Sequence, residues 1–369
     1  MNVYEKYNVK QVINASGKMT ILGGSRVEDD VCQQMNVGAT HFFEVKELLN
    51  QTGDYLAKLI GVESTYIVNS ASGGIAQSVA SCISQGQLKY ILNLFDVNLT
   101  KREIVICKGH NVDYGTPIEV TIGLGGGKIV EAGYANKCTL EHVESCINEN
   151  TAALIYVKSH HCVQKGMPDM KAFIELGHQY HLPVIVDAAA EEDLKKYYDY
   201  DADVVIYSGT KAIEGPTAGL MVGKKVFIDQ VKLQSQGIGR VMKVGKENII
   251  GLTYAIEKYL HKNHLSLEEQ AKRLDGFHQR LNDILGLSAK CVQDGAGRLI
   301  MRSEITFDEN VLNVNALKVS ELLKHGDIQI YTRDYRANEG KIEIDIRDVT
   351  DSELEVILTQ IIRIIKGEQ

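Results

Sequence analysis

From about residue 50 onward, short apolar runs alternate with helix-patterned stretches, and this alternation limits the possible folds more than any other feature of the chain. The runs are Thr65–Val68, Glu103–Cys107, Ala152–Lys158, Pro183–Asp187, Ala202–Ser208 and Gly219–Gly223. Most are near-continuously apolar, as strands buried on both faces must be. Between them lie the helical patterns Leu48–Gly61, Gly74–Ile83 and Met170–His181. Strand and helix in repetition predict a mainly parallel sheet covered by helices, an α/β fold.

Near residue 250 the pattern changes. Ile249–Asn263 and Ser266–Leu285 read as long amphipathic helices with no strand between them. Beyond them come an alternating strand, Lys341–Arg347, and a last helix announced by the capping box Thr350 and Glu353. A chain of 369 residues outgrows one core. The expected division is an N-terminal segment 1–50, a large domain 51–250 and a smaller α+β domain 251–369.

Composition narrows the function classes. Apolar residues are 44% and charged residues 24% of the chain, an ordinary globular balance. No apolar run approaches the roughly 18 residues of a membrane span, and the first residues are polar, so no membrane partner and a cytoplasmic location are expected. A net charge of −8 offers nothing to a nucleic acid. Seven cysteines without a CxxC pair read as reduced thiols. Adjacent His160 and His161 would point to opposite faces of an extended segment, so no metal site is expected.

Chemistry centres on Ser208, Gly209, Thr210 and Lys211 at the end of a strand, the lysine lying 24 positions after Asp187 ends another. A lysine after a strand is ordinarily a solvated surface residue, and an aspartate there is ordinarily a helix N-cap. Together they fit a different task. A lysine offered from a small-residue turn can hold pyridoxal 5′-phosphate as a Schiff base, while a carboxylate keeps the pyridine nitrogen protonated. Ala188, Ala189 and Ala190 leave a smooth face beside Asp187 for a flat ring. The loop Glu214–Gly219 has little bulk to block Lys211, and partial desolvation there favours the neutral amine.

Other residues complete the expected site. Asn69–Gly74 passes from strand to helix, and its Ser72, Gly73 and Gly74 make a phosphate seat at a helix N-terminus, with an ordinary Ser-capped turn as the alternative. Ser208 joins them as a phosphate contact. His110 could stack on the ring or be a polar loop histidine, and His161 could reach the ring's phenolic oxygen. Arg240 and Lys243, with Lys246, form a basic cluster suited to a substrate phosphate or carboxylate, as does Arg333; solvated basic faces are the alternative. Gly123–Gly127 lacks the spacing of a dinucleotide loop and reads as a flexible turn.

Val12–Gly17, Ile60–Asn69, Leu182–Asp187, Ser208–Lys211, Gly215–Gly219 and Arg240–Lys246, taken in order, resemble the branch of fold-type I pyridoxal-phosphate enzymes related to bacterial selenocysteine synthase. The resemblance implies an aspartate-aminotransferase-like fold with a seven-stranded sheet, and a homodimer or larger even assembly in which Thr20 of the N-terminal segment contacts substrate. Arg347 fits it less decisively. Selenocysteine synthase carries an N-terminal tRNA-binding region, whereas here the likeness starts at residue 12 of an acidic chain, so a charged tRNA is not the expected substrate. What the resemblance then implies is an ammonia-lyase acting on a phosphorylated β-hydroxy α-amino acid. The alternatives are β-elimination or replacement on a cysteine- or serine-like amino acid, and a non-catalytic cofactor-binding sensor.

Overall fold

The computed structural model describes residues 2–159, 161–262, 265–295 and 298–368. Among these, the strands are β1 Gln11–Ala15, β2 Ser64–Val68, β3 Glu103–Cys107, β4 Lys128–Ala132, β5 Thr151–Val157, β6 Val184–Asp187, β7 Val204–Ser208, β8 Gly219–Gly223, β9 Leu287–Gln293, β10 Met301–Phe307, β11 Ile328–Thr332 and β12 Lys341–Asp345. The chain divides into two compact units, Arg26–His261 and the combination of Met1–Ser25 with Lys262–Gln369.

The larger unit holds a seven-stranded sheet in the order β2-β8-β7-β6-β5-β3-β4. The pairs from β4 through β7 are parallel, and only β8 runs against its neighbours β2 and β7. Strands β5 and β6 are buried along their whole length, which explains their unbroken apolar runs. The helix Ala71–Ser84 is buried from Gly73 to Ser84 and lies in the core. Small residues let its neighbours come close: a Cβ on Gly125 would lie 2.5 Å from the Ala76 carbonyl, and one on Gly127 would lie 2.8 Å from Val79. Residues 125–127 are therefore a packing seam leading into β4, a strand that its half-exposed pattern had concealed.

The division differs from the expected 1–50, 51–250 and 251–369. Residues 26–50 join the larger unit because the helix Asp29–Thr40 packs on the helix Lys246–His261. A Cβ on Gly38 would meet Glu247 Cα at 2.7 Å, and one on Gly251 would meet Met35 at 2.4 Å. Lys258 adds ion pairs to Glu28 at 2.6 Å and Asp30 at 2.7 Å. The first 25 residues instead supply β1, which pairs in parallel with β11.

In the smaller unit β9, β10 and β12 form an antiparallel sheet. The segment expected as one helix over Ser266–Leu285 is two, Leu267–Lys272 and Asp275–Asn282. The Thr350 capping box opens the helix Asp351–Ile365 as its sequence indicates. At the end of β12, fully buried Asp345 accepts from Arg302 at 3.1 Å and from Arg347 at 2.9 and 2.8 Å. Burial alone would raise its pKa, but the two guanidinium groups hold the carboxyl well below the usual carboxylate range.

Candidate active site

The ends of five strands in the larger unit meet along one rim of its sheet. Register places Val157 beside Asp187 and Asp187 beside Ile206. Because β8 runs the other way, its first residue, Gly219, lies between the last residues of β2 and β7, Val68 and Ser208. The turn after β2, the turn after β7 and the carboxylate ending β6 are thus brought to one edge, where α/β sheets bind ligands.

The lysine turn is locked by backbone bonds. Gly209 N–H donates to the Ala218 carbonyl at 2.8 Å, and Gly215 N–H donates to the Gly209 carbonyl at 2.8 Å. Any side chain on Gly209 would sit 2.8 Å from Leu252 and from the Pro216 carbonyl, so glycine is required there. Lys211 follows, partly buried. Asp187 is 7% exposed and accepts the Ala189 N–H at 3.1 Å. Burial raises its pKa, and the positive charge of Lys211 opposes that rise. The two residues singled out by spacing therefore feel each other's charge.

No helix follows Asp187, so it caps none. Three phenols hold the segment after it instead. Tyr207 and Tyr259 donate to the carbonyls of Asp193 at 2.9 Å and Glu192 at 2.6 Å, and Tyr197 donates to the Glu191 carboxylate. Ala189 is fixed between the strand ends, its carbonyl accepting from Ser208 N–H at 3.1 Å.

The helix Ala71–Ser84 begins at the same rim with Ser70 as N-cap, its hydroxyl accepting from Gly73 N–H at 2.9 Å. Ser72, Gly73 and Gly74 lie in the first turn. A Cβ on Gly73 would fall 1.9 Å from Asn69 Oδ1, a buried acceptor with no hydrogen-bond partner among the described residues. Gly219 must also be glycine, since its Cβ would lie 2.6 Å from the Ser70 carbonyl carbon. Close approach thus seats the helix N-terminus beside Ser208. A turn of small residues, a helix dipole and a buried carboxylate that favours a cationic ring nitrogen fit pyridoxal phosphate.

The remaining expected residues fare differently. His110 is wholly buried at 0% exposure, its ring edge-on to Tyr156 with centroids 4.5 Å apart. This packing leaves no exposed ring face for stacking, and burial pushes its pKa down to about 4. His161 is exposed, with its N–H donating to Ser159 Oγ at 3.2 Å; His160 lies outside the described residues. The basic cluster is not one group. Lys246 caps the helix Asp29–Thr40 by donating to the Ala39 carbonyl at 2.7 Å, while Arg240 and Lys243 are exposed. Arg333 donates to Glu343 at 3.3 Å and to the Ser16 carbonyl at 3.3 Å, and Thr20 is exposed; both belong to the smaller unit. Sequence reasoning missed Tyr114, whose hydroxyl lies 3.4 Å from Ser72 Oγ. No motif marks it, because the contact spans 42 residues.

The fold is that of the fold-type I pyridoxal-phosphate enzymes. Alanine–glyoxylate aminotransferase from Nostoc sp. superposes with a TM-score of 0.58 at 13% identity, covering 96% of each chain. Within that class, residues 12–284 match the family model SelA, L-seryl-tRNA selenium transferase, and the chain belongs to this family. It is 44% identical to the D-glucosaminate-6-phosphate ammonia lyase of Salmonella typhimurium (strain 14028s / SGSC 2262), over 98% of this chain and 97% of that one. A solved structure of D-glucosaminate-6-phosphate ammonia-lyase superposes with a TM-score of 0.94 at 42% identity, covering 100% of this chain and 99% of the other. The chain is also 36% identical to a 5'-C-glycyluridine monooxygenase-decarboxylase of Streptomyces sp, over 96% of this chain and 90% of the relative.

Proposed function

We propose that the chain is a pyridoxal-phosphate-dependent ammonia-lyase that converts D-glucosaminate 6-phosphate to 2-keto-3-deoxygluconate 6-phosphate and ammonia. The observation that carries this reading is full-length likeness to the ammonia lyase, 44% over 98% of the chain. The placement of Lys211 near Asp187 supports it.

When bound, the cofactor supplies an electron sink that makes the substrate's Cα–H acidic. Lys211 would hold the cofactor, and its freed Nζ would be the base that takes the substrate's Cα proton. The Asp187 carboxylate would favour a protonated pyridine nitrogen, and Ala189 would line the face beside it. The first turn of the helix Ala71–Ser84, with Ser72, Gly73, Gly74 and Ser208, binds the cofactor phosphate. The ammonium of Lys211 then passes its proton to the leaving C3 hydroxyl, which departs as water. Lys211 Nζ, neutral again, would retake its place as the product nitrogen leaves; the free enamine tautomerises and takes up one water to give the keto acid and ammonia, so the water lost is regained.

Arg240 and Lys243 are the preferred cations for the substrate's carboxylate and phosphate, because both are exposed. Arg333 ranks third, being engaged with Glu343. His161 serves as a polar contact for the cofactor's phenolic oxygen. The fold-type I likeness supports a homodimer, with Thr20 contributing to substrate binding.

Family membership does not choose the reaction, since relatives carry different activities. The test is to supply D-glucosaminate 6-phosphate with the cofactor and measure ammonia and keto acid together. Equimolar release is expected. Oxygen uptake with a glycyl nucleoside, or turnover of serine- or cysteine-like amino acids alone, would replace this reading.

A further inference from the structure

We infer that Tyr114 is a positioning residue for the cofactor's phosphate, acting through Ser72 as the middle of a hydroxyl relay that begins at Thr121. The inference rests on the proposed phosphate seat at the helix Ala71–Ser84.

Tyr114 rides on a small self-closed loop after β3. Asp113 and Pro117 form a β-bridge, Ile118 N–H donates to the Val112 carbonyl at 3.1 Å, and Asp113 Oδ1 accepts the Gly115 N–H at 2.7 Å. Gly115 turns the loop at φ +110°, a conformation that suits glycine. The half-buried ring packs against the core cluster that includes Ile118 and Ile122. Its hydroxyl lies 2.8 Å from Thr121 Oγ1 and 3.4 Å from Ser72 Oγ. Thr121 is 3% exposed, so the far end of the chain is buried.

A phosphate only accepts hydrogen bonds, which gives the relay one direction. Ser72 must donate to the anion, which frees its oxygen to accept from Tyr114, and Tyr114 in turn accepts from Thr121. Each donor polarises the next, strengthening the bond that reaches the anion. The contact to Ser72 is long, so this hydroxyl can turn toward the phosphate.

The test is a titration of the full-length apoprotein with pyridoxal phosphate, and separately with pyridoxal, for Tyr114→Phe, Ser72→Ala, the double variant and Thr121→Val. Ser72→Ala should weaken pyridoxal-phosphate binding by about 10-fold and Tyr114→Phe by about 5-fold, the range of one net hydrogen bond. The double variant should be no weaker than Ser72→Ala alone. Pyridoxal, which lacks the phosphate, should bind all four proteins as it binds the wild type. Thr121→Val should act in the same direction as Tyr114→Phe but less. If Ser72→Ala weakens binding while Tyr114→Phe does not, or if the two effects multiply, the relay is overturned and the phosphate seat stands. If Ser72→Ala has no effect, the seat itself is wrong and the relay falls with it. Equal weakening of pyridoxal by Tyr114→Phe would show a structural role and overturn the relay.

Discussion

Asp187 is the residue whose burial works against stability and, in the proposed mechanism, for function. Its pKa is raised by burial, so an ionised Asp187 is less favourable folded than unfolded. That penalty is absent below the ordinary aspartate value near 3.8 and is felt in full once the pH exceeds the raised folded value. Asp187→Asn should therefore melt higher than wild type as the apoprotein at pH 7, with the gain vanishing toward pH 3, and should lose lyase activity. Scanning calorimetry across that range checks the sign, and a lower melting temperature at pH 7 would contradict it. His110 works the other way: burial depresses its pKa to about 4, so it stays neutral near pH 7 and adds acid sensitivity between about 6.5 and 4. Its imidazole signals should not titrate between pH 7 and 8. Lys211 and Asp187 were legible in the sequence because each follows an apolar strand and small residues flank both. Tyr114 was not, because only the tertiary fold brings it to Ser72. Within the Arg240–Lys246 run only Lys246 was misread, because it caps a helix whose position no local pattern reveals.

At the scale of elements, close approach decides where the helix Ala71–Ser84 begins. Gly73→Ala would drive a methyl into Asn69, so it should weaken cofactor binding while leaving most of the fold intact. Gly219→Ala meets backbone rather than side chain, and should cost about 1–3 kcal/mol of stability in denaturant titrations. In the smaller unit, Asp345→Asn takes one of two buried carboxylates from Arg302, which keeps Asp294 at 2.6 Å, and removes the carboxylate paired with Arg347, so a loss of about 1–3 kcal/mol is expected. Because both arginines hold Asp345 below the usual range, its contribution persists at pH 4 and fades only in stronger acid. The six apolar runs of the larger sheet and the Thr350 cap were readable from pattern alone, since burial and capping impose local composition. Strand β4, at the sheet edge, and β1, β9, β10 and β11 were not. Their alternation is half-exposed or depends on partners distant in the chain.

For the whole molecule, the sequence foresaw a large and a small unit but misplaced the boundaries. The N-terminal 25 residues join the smaller unit through β1, and residues 26–50 join the larger through glycine contacts that composition does not disclose. The fold class followed from alternation, whereas the substrate came from likeness, because relatives sharing the scaffold carry different chemistries. Cofactor binding should stabilise the molecule by mass action, about 2.7 kcal/mol at a hundredfold excess over Kd. Lys211→Ala should retain only part of that gain, since the phosphate seat survives without the covalent anchor. The central claim is that Lys211 is that anchor, and borohydride reduction of the cofactor-loaded protein followed by peptide mass analysis examines it directly. The reduced cofactor should be found on the peptide containing Lys211 and be absent from the Lys211→Ala protein. Stoichiometric label on another lysine, with Lys211 unmodified, would contradict it.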